Sequence, residues 1–213
     1  MPAHRRTNRE IEVKLRVADV PAMLRKLENL GARYESRVLE RNTLYDTPDS
    51  DFRRRRALLR IRVETQAPRR EARSSKRLRG LSAAANRRVI LTSKASAVAS
   101  SARDRRYKEK LERELVVPGS PTRWDSALRS LGLHPGFRYD KYRSTFHLPH
   151  LALELDETPV GAFLELEGLP SAIDRAARAL GYSSRDYYCG SYWDVYVADC
   201  RRRGVAPRNM VWQ

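Results

Sequence analysis

The chain has 213 residues, a formal net charge of +17, and a composition 41% hydrophobic and 32% charged. That length supports one sizeable core. No run approaches the ~18 apolar residues of a membrane span, the basic N-terminus lacks the apolar stretch of a signal peptide, and two cysteines, Cys189 and Cys200, exclude a disulfide framework. The expectation is a cytoplasmic protein without a membrane partner; its oligomeric state is not encoded in any pattern we find. The positive charge is clustered. Between Arg69 and Arg88 stand eight Lys/Arg against one acid, Glu71, and further clusters lie at 53–56, 103–108 and 201–203. They flank the patterned segments, which favours solvated loops, with polyanion contact through 69–88 as the alternative.

The first patterned segment has a period of two. Glu10, Glu12, Lys14 and Arg16 share one face, and Ile11, Val13, Leu15 and Val17 the other. A helix follows from an Asp19 cap and Pro21 through Met23, Leu24, Leu27 and Leu30 to Gly31. Alternation returns at Leu59–Glu64, more weakly at Arg88–Lys94, and again at Lys108–Leu115, where Lys108, Lys110, Glu112 and Glu114 share a face. A second helix opens at Ser120 or Thr122 and closes at Leu131-Gly132. Three more strands are expected at Tyr139–His147 (Lys141 with Arg143), Leu151–Asp156 (Glu154 with Asp156) and Phe163–Glu167 (Glu165 with Glu167). A third helix starts at Ser171 and closes at Leu180-Gly181. Each Leu-Gly ending suits a left-handed C-terminal cap. Each of the three Glu-x-Glu segments, at 10–12, 112–114 and 165–167, precedes one of these helices, a loose internal repeat.

A solvated outer face accounts for any one of these seven strands. It strains when applied to all, because the polar faces are almost purely Glu, Asp, Lys and Arg. The apolar stripes of the helices also need a partner, and the apolar strand faces are the available one. The pattern therefore favours an α+β fold: a closed or nearly closed antiparallel β-barrel with a charged interior, covered by amphipathic helices. The interior would hold Glu10, Glu12, Glu64, Glu112, Glu114, Glu154, Asp156, Glu165 and Glu167 together with Lys14, Arg60, Arg62, Lys94, Lys110, Lys141 and Arg143. Burying these charges requires that each sign meet a partner, as in a water-filled tunnel that takes up a metal and a polyanion.

Glu10 and Glu12 sit about 7 Å apart along one strand face, close enough to converge on a hard cation. Carboxylate oxygens without a Cys or His cluster favour Mg²⁺ or Mn²⁺. Lys14 is one step further along, placed for a phosphate held by the same metal, and arginine pairs such as Arg60/Arg62 suit phosphate oxygens. No Gly-x-x-x-x-Gly-Lys or Gly-x-Gly-x-x-Gly motif occurs. The four histidines lack metal-ligand spacing, neither cysteine has a His partner, and Tyr45, Tyr192 and Trp193 are expected in packing roles.

Glu10-x-Glu12-x-Lys14 resembles the Glu-x-Glu-x-Lys signature of the CYTH superfamily, the triphosphate tunnel metalloenzymes. The likeness continues in order through Tyr45-Asp46-Thr47-Pro48, Leu59-Arg60-Ile61-Arg62, Leu91-Thr92-Ser93-Lys94, Lys110-x-Glu112-x-Glu114, Lys141-x-Arg143, Leu155-Asp156-Glu157, Phe163-Leu164-Glu165-Leu166-Glu167 and Ser191-Tyr192. It covers about residues 9–197, so 1–213 is expected to be a single domain with a basic loop at 65–88 and a basic tail at 201–213. The resemblance implies an eight-stranded tunnel acting on triphosphates with Mg²⁺ or Mn²⁺. It implies Glu10, Glu12 and Glu167 as principal metal ligands, with Glu165, Glu114 and Asp156 as secondary acids. It further implies Lys14, Arg60, Arg62, Lys94, Lys110, Lys141 and Arg143 as phosphate-binding residues, and Glu10, Glu12, Lys14, Glu165 and Glu167 as the catalytic group. Lys94 is followed by Ala95-Ser96 where family members often carry glycine, and the stretch at 69–88 is long. Three functions follow as expectations: a triphosphatase acting on tripolyphosphate or a small organic triphosphate such as thiamine triphosphate, a class IV adenylate cyclase acting on ATP, or a non-catalytic polyphosphate- or RNA-binding module.

Overall fold

The structure, a computed structural model, describes residues 6–70, 87–96 and 106–212. In chain order it runs β1 (Arg6–Val17), α1 (Val20–Asn29), β2 (Arg33–Asp46), α2 (Asp51–Arg54), β3 (Leu58–Gln66), β4 (Arg87–Ser96), β5 (Lys108–Val117), α3 (Pro121–Ser130), β6 (His134–Leu148), β7 (Leu151–Thr158), β8 (Gly161–Gly168), α4 (Pro170–Leu180) and α5 (Tyr192–Arg202). The eight strands close into a barrel in the order β1-β5-β4-β3-β2-β6-β7-β8, every pairing antiparallel.

The barrel has the inverted polarity its alternation predicts. Val13, Leu15 and Val17 of β1 point outward and are buried with Leu153, Leu155, Leu164 and Leu166 beneath Met23, Leu24 and Leu27 of α1 and Ile173, Ala176 and Leu180 of α4. A smaller outer cluster joins Tyr45, Ile61, Val89 and Val117 to Leu128 of α3. Here the Tyr45 hydroxyl donates to Asp125 Oδ1 (2.6 Å), so Tyr45 does pack as expected. The period of two sends the alternate residues Glu10, Glu12 and Lys14 inward. The hydrophobic effect thus sits in the helix-on-barrel layer and leaves the interior free for charge.

The helix boundaries follow their caps. Asp19 Oδ1 accepts from Ala22 N (3.0 Å), Ser120 caps α3, and Gly31, Gly132 and Gly181 all take positive φ just past their helices. Ser171, however, does not start α4. Pro170 fills the first turn, where its missing N–H costs nothing, and Leu169 takes the cap position without a side-chain bond.

Three elements went unread in the sequence. β2 carries register shifts between Tyr34/Ser36 and Thr43/Tyr45, so its faces switch along its length and no clean alternation survives. α2 is a single turn. α5 begins with a capping box, Ser191 with Asp194, and packs Tyr192, Val195, Tyr196 and Cys200 against Phe137, Tyr139, Phe163 and Met210 at one end of the barrel. The C-terminal stretch is tied to the barrel: Met210 N donates to Arg138 O and Asp140 N to Met210 O, both at 2.9 Å. Most of the basic stretch 69–88 lies outside the described residues. Its edges are paired, Arg70 with Glu157 and Arg88 with Glu64.

Candidate functional site

The three Glu-x-Glu strands are neighbours: β1 lies between β5 and β8. Register sets Glu12 opposite Glu167 and Lys14 opposite Glu165 on one side, and Glu12 opposite Lys108 on the other. Side chains from these positions crowd one wall of an interior cavity of about 620 Å³. Lys94, reaching in from β4, lies 2.8 Å from Glu10 Oε2 and 3.1 Å from Glu112 Oε2; Lys108 pairs with Glu12, and Lys14 with Glu165. The amines are shared unequally. Burial, and then the charges of Glu12, Glu112 and Glu167, push Glu10 up to about 9 against the pull of Lys94. Burial would also raise Glu12, but Lys108, Lys14 and Lys94 bring it down to about 2. Glu167 is raised by burial and by the nearby Glu12 and Glu112.

The opposite wall is built from β3, β2 and β6. Arg60 Nη1 donates to the Tyr139 hydroxyl (2.9 Å) and Nη2 lies 3.5 Å from Glu114 Oε1, while its buried Nε has no hydrogen-bond partner among the described residues. Arg62 pairs with Glu114 and lies 3.3 Å from Glu40. Lys141 Nζ donates to Asp156 Oδ2 at 2.8 Å, and Arg143 binds Asp156 through Nε (2.8 Å) and Nη2 (2.7 Å). The Tyr192 hydroxyl donates to the same Asp156 Oδ2 at 2.6 Å, and its ring lies under both Lys14 Nζ (4.5 Å) and Lys141 Nζ (5.0 Å). Packing alone therefore does not describe Tyr192: it enters the charged interior from α5 and lines the cavity.

Most of the site residues expected from the sequence converge on this cavity: Glu10, Glu12, Lys14, Arg60, Arg62, Lys94, Glu114, Lys141, Arg143, Glu165 and Glu167 all line it. Two do not. Lys110 lines a neighbouring cavity instead, where its amine donates to Arg56 O at 2.8 Å, while Lys108 pairs with Glu12. Asp156 is fully buried behind the cavity surface, its oxygens engaged by Lys141, Arg143 and Tyr192. Glu114 is drawn to the arginines across the barrel. Glu40 was missed with β2, and Lys108 shares the Glu112 face in sequence without having been assigned a role there. Of the described histidines, His134 and His150 are exposed, and half-buried His147 pairs with Glu35.

Carboxylate oxygens are the donor type that Mg²⁺ or Mn²⁺ prefers. Among the described residues no three acids, histidines or cysteines already form a cage; lysine amines occupy the carboxylates instead. On this wall Glu10, Glu12, Glu112, Glu165 and Glu167 outnumber Lys14, Lys94 and Lys108, so a divalent cation fits it by charge and by donor chemistry. A second cavity of about 660 Å³ adjoins the first, sharing Lys94, Lys108, Tyr139 and Tyr192. It is lined by Phe52, Phe137 and Trp193, with Arg53 over the Trp193 ring at 5.2 Å.

The CYTH domain model matches residues 8–183. Among solved structures, the PH1819 protein of Pyrococcus horikoshii OT3 is 22% identical, with 89% of this chain and 99% of that chain covered at a TM-score of 0.68. A candidate adenylate cyclase of Vibrio parahaemolyticus is 16% identical, covering 89% and 98% at 0.65. HpAC1 of Hippeastrum, described as having a dominant triphosphatase activity, is 19% identical, covering 93% and 97% at 0.56. No curated protein sequence matches the chain.

Proposed function

The chain belongs to the CYTH domain family, and from that premise we propose that it is a metal-dependent triphosphatase acting on tripolyphosphate or a small organic triphosphate. One observation carries this reading: a wall with surplus carboxylate faces a wall of arginine and lysine across a single cavity. Glu10, Glu12, Glu165 and Glu167 would hold a divalent cation, with Glu114 as an outer acid, and the chemistry it would supply there is charge neutralisation and a more acidic water. Arg60, Arg62, Lys141, Arg143, Lys14 and Lys94 hold the phosphate oxygens. Arg60 Nε, a buried donor with no acceptor among the described residues, has hydrogen-bonding capacity to give to an anion. Asp156 serves this reading best as the residue that aims Lys141, Arg143 and Tyr192, not as a ligand. Hydrolysis adds water to the terminal phosphorus and breaks its bond to the bridging oxygen, releasing phosphate and the shortened chain. Both walls contribute by positioning and by fixed charge.

A cyclase reading draws on the adjoining aromatic cavity, which has room for the organic group of a nucleotide. One assay separates the two. Purified protein with Mg²⁺ or Mn²⁺ is offered tripolyphosphate, thiamine triphosphate and ATP, and the products are identified. Phosphate released by the wild type and lost in Glu12→Gln is the expected result. Cyclic AMP with pyrophosphate would replace the proposal by the cyclase. No turnover of any substrate, with salt-sensitive binding of polyphosphate or RNA, would replace it by a binding module.

A further inference from the structure

Glu40 is the one carboxylate that β2 sends into the cationic wall. It is 1% exposed and takes no part in the cavity surface, so it can touch neither a bound phosphate nor a bound metal. Its Oε1 lies 3.3 Å from Arg62 Nη1 and 3.7 Å from Arg143 Nε; its Oε2 lies 3.5 Å from Lys141 Nζ and 3.5 Å from Asn42 Nδ2. These are long contacts, and each cation has a nearer acid. Arg62 is held by Glu114, Lys141 by Asp156 at 2.8 Å, and Arg143 by both oxygens of Asp156. The cations are therefore aimed without Glu40. Burial would raise its pKa, yet Lys141, Arg62 and Arg143 bring it far below the carboxylate range, so the charge persists at every working pH. What remains for it is electrostatic: a fixed negative charge one layer behind the donors, in a medium where charge carries far.

We propose that Glu40 sets the anion affinity of the tunnel, lowering the positive potential of the Arg62–Lys141–Arg143 wall so that oligophosphate products are released. This rests on the triphosphatase reading. An anion that binds such a wall too tightly gains nothing in turnover, because the shortened product stays. Glu40 is a charge-setting residue that acts through the potential at the three cations, not a catalytic one.

The test compares wild type, Glu40→Gln and Glu40→Asp. Calorimetric binding of tripolyphosphate and pyrophosphate is measured without metal at two salt concentrations, and steady-state kinetics with Mg²⁺. Glu40→Gln is expected to bind both anions about tenfold more tightly, with a steeper salt dependence, a lower KM, a lower kcat and stronger inhibition by product. Glu40→Asp keeps the charge and is expected to stay within about twofold of wild type. A wall merely disordered by the substitution would bind more weakly, so unchanged or weakened affinity in Glu40→Gln overturns the assignment, as does equal tightening in Glu40→Asp. Where Glu40→Gln does not fold, Glu40→Ser removes the charge, leaves room for a water and carries the same expectation. A wild-type chain that turns over no triphosphate with Mg²⁺ defeats the triphosphatase reading itself. A wild-type chain that binds both, with Glu40→Gln no tighter, defeats only the role of Glu40.

Discussion

On the wall built from β5, β1 and β8, Glu10 and Glu167 are held above the ordinary carboxylate range, whereas on the facing wall of β3, β2 and β6, Glu40 is held far below it. Both walls are densely ionised, but only one is balanced. The basic wall carries its own counterions, Glu40 and Asp156, rooted behind the cations where no ligand can displace them. The acidic wall borrows Lys94 and Lys108 at the cavity surface, and it still leaves acids crowded against one another. Buried charge is tolerable only where the signs interleave. The difference therefore teaches which component each wall expects: a cation on the acidic side, and on the basic side an anion that comes and goes.

The strongest way to break this comparison is Glu12→Gln. Turnover of tripolyphosphate with Mg²⁺ is expected to fall about 10³-fold while circular dichroism and Tm stay near wild type; a loss smaller than tenfold would remove the acidic wall from the chemistry. Next in size, Arg62→Ala is expected to raise KM for the triphosphate about 30-fold with a smaller change in kcat, because it deletes a charged phosphate donor. An effect on kcat alone would place Arg62 outside ground-state binding.

The third prediction concerns pH. Glu10 keeps its proton in the fold up to about 9 but loses it near 4.5 in the unfolded chain, so its contribution to stability is present below 4.5 and is lost as pH rises towards 9. Thermal melts without metal should show that decline. Mg²⁺ at pH 8 should raise Tm by several degrees, about 3–6 °C, and an equal metal effect at pH 5 and pH 8 would contradict the surplus of acid. Glu154 sharpens the same test on a smaller scale. Burial and the neighbouring Glu165 and Asp156 raise it to about 7 against Arg143. Its contribution is likewise lost as pH rises from 4.5 through 7, and Glu154→Gln should gain about 1 kcal/mol at pH 8 in urea unfolding. Smallest is Trp193→Ala: about threefold in KM for a triphosphate carrying an aromatic group, and no change for tripolyphosphate.

Much of the site was legible because a strand's period of two separates an apolar from a charged face within a few residues. Glu10, Glu12, Lys14, Arg60, Arg62, Lys141, Arg143, Glu165 and Glu167 are all found on such faces, and all line the cavity. The misplacements have separate causes. Lys110 sits on the expected face, yet its amine is taken by the carbonyl of Arg56, a loop residue that strand periodicity does not reveal, while Lys108 takes Glu12. Asp156 shares a face with Glu154, yet depth within the barrel, which periodicity does not encode, puts it behind the surface. Glu40 escaped because the buried face of β2 mixes Val38, Glu40 and Asn42, so no charged face stands apart from an apolar one there.

The sequence by itself determined the inward and outward faces of seven strands, the ends of the three covering helices at Gly31, Gly132 and Gly181, and that the interior is charged, since these depend on local periodicity and glycine conformations. Only the tertiary structure decided that β1 stands between the other two Glu-x-Glu strands, and that Glu40 and Asp156 root the basic wall. It also decided that Tyr192 of α5 reaches two lysines and an aspartate from the far end of the chain. Those facts belong to barrel closure, which brings residues more than a hundred positions apart into contact and leaves no trace in the spacing along the chain.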